Sequence, residues 1–175
     1  MGLTDRELWT AVHGMILWTI FLLGFAAGLA GLWNLRPECV AVAGMPRQLR
    51  RLLSGLWVAA AAAWAAVLTG TFVLYPWYRA RPPEGANLAN YPRAYLQANP
   101  EFAEWHDGME WKQQVAWLAP ILATAVAYVA MRYGPRLAVE AKIRRTLMIL
   151  LTVAFLTSGV AAFVGSFINK IVSMH

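Results

Sequence analysis

Four long uncharged runs, residues 8–35, 52–78, 113–131 and 146–169, constrain this chain more than any other feature. As an α-helix, each is long enough to cross roughly 30 Å of hydrocarbon. Lipid offers no hydrogen bonds to open backbone, so runs of this length must close on themselves as helices. None alternates apolar and polar residues as a barrel strand would. The expected fold is all-α: an integral membrane four-helix bundle filling residues 1–175 as a single transmembrane domain.

The positive charges are distributed to match. Residues 36–51 carry Arg36, Arg47, Arg50 and Arg51 against Glu38, and residues 132–145 carry Arg132, Arg136, Lys142, Arg144 and Arg145 against Glu140. Short basic connections stay on the cytoplasmic side. Both termini and a long loop over residues 79–112 are therefore expected outside, where Asp5, Glu7, Glu84, Glu101, Glu104, Asp107 and Glu110 offset the cations. This implies a multi-pass protein of the bacterial inner membrane. It also accounts for the net charge of +6 without a nucleic-acid partner. Asp5, Arg6 and Glu7 make a poor n-region and the first run is too long for an h-region, so it reads as a span rather than a cleaved signal peptide. Cys39, alone in a cytoplasmic loop, has no partner for a disulfide or a zinc site.

Small residues indicate how the helices meet. Gly24, Gly28 and Gly31 on the first span, Gly55 with the following alanines on the second, and Ser158, Ala162, Gly165 and Ser166 on the fourth form stripes that let backbones approach closely. Pro120, in the third span, predicts a kink. In the long loop, Tyr75, Trp77, Tyr78 and Arg79 form an interfacial anchor, while Pro82, Pro83 and Gly85 break the chain. A short amphipathic turn is expected from Tyr91 to Leu96. Asn99 before Pro100 reads as a helix start. Asp107 with Glu110 reads as a second start, so the third span either begins at Gly108 or continues unbroken from Pro100.

His13 and His106 are the only histidines besides the terminal His175. With Thr4 and Glu7 capping the first helix, His13 lies about two and a half turns in, on the side of Gly24 and Gly31, and should point into the bundle. His106 lies at the outer mouth of the third span. Two inward imidazoles at one rim would suit the axial positions of a b-type haem, with Trp77, Tyr78, Arg79 and Arg81 serving the propionates. Plain structural histidines, with no cofactor bound, are the alternative. A third reading adds thioethers: Met109 beside His13 and His106 as metal ligands, or Met15, Met174 and His175 for outer-face copper. Glu104, Asp107 and Glu110 beside His106 could relay protons near a quinone. Trp105, Trp111, Tyr91 and Tyr95 could instead anchor a protein partner.

No GxSxG, glycine-rich phosphate loop, HExxH or CxxCH is present, and no charge lies inside a span as a transporter would need. The strings Leu74-Tyr75-Pro76-Trp77-Tyr78-Arg79 and Trp105-His106-Asp107-Gly108-Met109-Glu110-Trp111-Lys112, with the four-span layout, resemble small bacterial membrane proteins that handle haem or assist respiratory oxidase assembly. The resemblance implies a respiratory setting. The expectation is a small subunit of a hetero-oligomeric electron-transfer complex, respiratory or photosynthetic, contacting the lipid bilayer and other membrane redox subunits. It would bind haem b or a quinone near its outer face, or act without a cofactor as a scaffold for those subunits.

Overall fold

The computed structural model describes residues 4–39 and 44–173, all of them helix or helix connection. Four helices are long and apolar enough to span a membrane. We number the helices α1 (Asp5–Asn34), α2 (Met45–Tyr78), α3 (Pro92–Ala98), α4 (Ala103–Val115), α5 (Leu118–Tyr133) and α6 (Ala141–Ser173). The four spans are α1, α2, α4 with α5, and α6. They close a ring in which α1 packs on α2 and α6, α2 on α5, and α5 on α6. Helix α3 and the start of α4 form a cap at one end; the two basic connections lie at the other.

Close backbone approach holds α1 to α2. A Cβ on Gly24 would lie 2.7 Å from the backbone nitrogen of Ala59, and one on Gly55 would lie 3.0 Å from the Ala27 Cβ. The stripes read from sequence on these two helices thus meet each other. On α6, Gly165 faces the Lys112 side chain rather than a backbone, and Ser166 is exposed.

Three apolar clusters stack along the bundle. Leu32, Leu35, Leu52, Leu56, Val126, Leu137 and Leu151 fill the basic end. Phe21 with Ala59, Ala62 and Ala63 fills the middle, backed by Phe155, which also stacks on Phe25. Tyr78, Leu96, Met109 and Ile168 fill the cap. Large apolar side chains such as Leu23, Phe72, Ile149, Leu156 and Phe163 remain exposed, as suits contact with lipid chains.

The helix ends bear on the sequence reading in detail. Thr4 and Glu7 form a reciprocal capping box. The third span differs from one of its two expected forms: a 3-10 turn over Pro100–Phe102 leads directly into α4 at Ala103, and no new helix starts at Gly108. Phe102 is the N-cap and makes no side-chain cap bond, so Asp107 and Glu110 build no capping box. The Asn99 amide does not cap either; it donates to the Tyr95 carbonyl at 2.7 Å. Pro120 does interrupt this span. Lacking an N–H, it leaves the Ala116 carbonyl to accept from Ala119 at 3.3 Å, and the helix loosens at residues 116–117 between α4 and α5.

Beside that break, the Trp64 indole donates to Thr124 Oγ1 at 3.0 Å, and Thr124 donates to the Pro120 carbonyl at 2.7 Å. This links α2 to α5 through a polar bond inside the apolar bundle. Trp64→Phe keeps an aromatic ring, though one smaller than the indole, and removes the donor. Interhelical bonds in membranes are worth modest amounts, so a loss of about 1 kcal/mol is expected in reversible unfolding from mixed micelles, without change in helix content.

Candidate functional site

The most unusual local structure in the bundle surrounds His13. Residues Val12–Leu17 of α1 and Gly70–Leu74 of α2 are π-helical, and the His13 ring of the first lies against Gly70 of the second. Such turns are rare and are frequent at functional sites. His13 Nδ1 lies 3.1 Å from Thr69 Oγ1. The threonine proton is already directed to the Ala65 carbonyl at 2.7 Å, so its oxygen accepts from the imidazole N–H. In the neutral ring this leaves the Nε2 lone pair open as an acceptor. Gly70 makes room for the ring: a Cβ there would sit 2.8 Å from His13 Cε1. His13 therefore points inward, as its helical phase requires.

Neighbouring spans add polar groups at the same height. Thr71, one residue beyond Gly70, approaches Gln113 Oε1 at 3.5 Å. The preceding residue, Lys112, runs its side chain along α6 at Gly165, where a Cβ would lie 3.4 Å from its Cε. Below His13, the Trp18 indole nitrogen is buried and has no partner among the described residues. Four helices thus converge on one polar layer within an apolar bundle, where every polar group must find a use or a partner.

A ladder of protonatable groups climbs from this layer toward the cap. The Tyr75 hydroxyl donates to the Glu110 carboxylate. One turn on, the Tyr78 hydroxyl shares a 2.7 Å hydrogen bond with His106 Nδ1, and the two rings stack. The Arg79 guanidinium lies 5.5 Å from the Tyr75 ring centroid.

The two histidines are not brought together. His13 engages Thr69 and His106 engages Tyr78, and these partners are separated by about 13 Å of rise along α2. One haem iron needs both axial nitrogens at a single point, so the residues in this arrangement do not fit a bis-histidine haem. Of the expected propionate partners, Tyr78 is buried against His106, Trp77 is half-buried, and Arg79 and Arg81 are exposed. Among the described residues, no three His, Cys, Asp or Glu side chains are grouped to hold a metal. Met109 is buried in the cap cluster, and Met15 points outward at 70% exposure, away from the His13 layer. Met174 and His175 lie outside the described residues.

The aromatic residues expected at a partner interface divide. Trp105 stacks on Phe167 of α6 at 5.2 Å, and Tyr95 stacks on Phe102, so both serve the cap's own packing. Tyr91 is half-buried at the head of α3. Trp111 is 53% exposed and remains available for contact.

No protein family, curated protein or solved structure matches the chain. Its own geometry carries the functional argument. Sequence reasoning missed Thr69, Gly70, Thr71, Lys112 and Gln113 as site residues. A signal was there: Thr69-Gly70-Thr71 interrupts an otherwise apolar run, and Lys112-Gln113-Gln114 is a polar triplet where a span begins.

Proposed function

We propose that the chain is a small membrane subunit of an electron-transfer complex, respiratory or photosynthetic, that handles protons at the outer face of the inner membrane. The observation that carries this is the succession of protonatable side chains from the cap to the middle of the bundle: His106 with Tyr78, Glu110 with Tyr75, then Lys112 and His13. Titratable groups inside a membrane are costly and are retained where protons or ligands move. The positive-inside bias of the basic connections supports an orientation with that end of the bundle in the cytoplasm and both termini and the cap outside.

A quinone headgroup is the ligand whose chemistry matches the layer. Its carbonyl oxygens accept hydrogen bonds, and its reduction takes up protons; Lys112 supplies a donor, and His13 supplies a group that can take or give a proton. The two wide turns supply the helical irregularity such a site needs to open. The layer requires neither His106 as a ligand nor a bis-histidine iron.

Purification in mild detergent tests the reading. Redox subunits should accompany the chain, and quinol-driven electron transfer by that complex should fall at least about 100-fold in His13→Ala and Lys112→Met if these groups transfer protons. A colourless protein isolated without redox partners or quinone would overturn the proposal, as would undiminished turnover in both variants. The second reading, a cofactor-free subunit that scaffolds larger redox proteins, is favoured by the exposed Trp111. It requires instead that Trp111→Ala disperse the complex while the His13 variant leaves its activity intact.

A further inference from the structure

At the opposite end of the bundle, a cavity of about 480 Å³ is lined by Trp33, Arg36, Pro37, Glu38, Arg144, Arg145 and Met148. We propose that this cavity binds the phosphate of an anionic diacyl phospholipid.

Three guanidiniums against one carboxylate give the lining an excess of positive charge. Arg144 is fixed: its Nη1 donates to the carbonyls of Leu35, Leu137 and Ala138, which holds the walls together. Arg36 is positioned over the Trp33 ring at 3.8 Å, a contact that leaves its N–H edge free to donate. Arg145 is exposed and makes no hydrogen bond or ion pair among the described residues. Among the described residues, the cavity thus presents two guanidiniums without a carboxylate partner, beside a third that shapes the site. Guanidinium forks match phosphate oxygens in geometry as well as charge.

The position of the cavity selects a lipid as the source of that phosphate. It opens where α1 ends and α6 begins, at the edge of the apolar belt, and Met148 of its lining is followed on α6 by the exposed Ile149, Val153 and Leu156. A headgroup seated on Arg36 and Arg145 can therefore lay its acyl chains along α6. Trp33, half-exposed at the rim, is the kind of residue that settles at headgroup depth. Basic pockets between membrane helices bind anionic headgroups in this manner.

The test uses the full chain in a neutral detergent, titrated with short-chain phosphatidylglycerol, with phosphatidylcholine, or with inorganic phosphate. Binding is read by thermal unfolding and by native mass spectrometry of the bound lipid. Phosphatidylglycerol should raise the unfolding temperature and be retained, and Arg36→Gln with Arg145→Gln should weaken it on the order of tenfold. Should the double variant fail to fold, the exposed single change Arg145→Gln must still weaken retention several-fold. Equal retention of phosphatidylcholine, or unchanged binding in a folded variant, would overturn the assignment. A shift reproduced in full by inorganic phosphate would also overturn it, since the site would then recognise the free anion rather than the lipid.

Discussion

Gly24→Val is expected to drive α1 off α2. A single methyl at this position already lies 2.7 Å from the Ala59 nitrogen and 2.9 Å from its Cα, both backbone atoms that no rotamer change can move. Overpacking a tight core costs typically 1–3 kcal/mol, and a clash against main chain belongs at about 3 kcal/mol, the top of that range. Gly24→Ala should show most of the effect and Gly24→Val all of it, measured as a fall in the unfolding midpoint and a loss of the monodisperse peak on size exclusion. Gly14→Ala provides the control. Among the described residues nothing lies within 4 Å of a Cβ there, so the change should stay within about 1 kcal/mol, of either sign. If the two alanine variants behave alike, close α1–α2 approach is not what holds the bundle.

The second large effect is expected at Arg144, whose Nη1 reaches the Leu35 carbonyl at 3.1 Å, Leu137 at 2.8 Å and Ala138 at 3.0 Å. Leu35 closes α1, while Leu137 and Ala138 close the turn after α5, so one cation satisfies carbonyls from two helix ends. Leu35, Leu137 and Ala138 are themselves buried, which removes water as an easy substitute. Arg144→Ala should therefore cost about 3 kcal/mol, combining lost charge-assisted bonds with stranded carbonyls. Arg144→Lys should recover only part of this, because an ammonium is more strongly hydrated and lacks the planar fork. Chemical unfolding in detergent reads both. A neutral Arg144→Ala would mean that the three carbonyls are satisfied without it.

How much of this was legible beforehand varied with the range of the interaction. Spans could be read because the absence of charge over twenty or more residues is a local property, and the Gly24–Gly28–Gly31 stripe because helical phase is nearly rigid. The inward aim of His13 followed from that same phase. The partner of His106 did not, since it depends on α4 running unbroken from Ala103 and on Tyr78 reaching it from another helix. Trp105 looked like a surface anchor because nothing in its own segment reveals Phe167, about sixty positions later. The loosened turn at residues 116–117 lies four residues before the proline that causes it, so Pro120 marked the span but not the spot. Lys112 read as a boundary charge, as most lysines beside a span do; its course along Gly165 is a tertiary fact.

The wide turns at Val12–Leu17 and Gly70–Leu74 carry a consequence for how this chain can vary. Each holds one residue more than an ordinary helix needs to cover the same climb. Removing a single amino acid from the first would let it close as ordinary α-helix with the residues on either side keeping their phase, whereas the same deletion from an α-helical turn would swing everything on its N-terminal side by roughly 100° around the α1 axis. The stripe of Gly24 would stay on α2, and only the local widening that carries His13 would be lost. A one-residue deletion in this short window should therefore preserve the α1–α2 contact and insertion into the membrane while changing the seat of His13, and the same deletion further along α1 should break that contact.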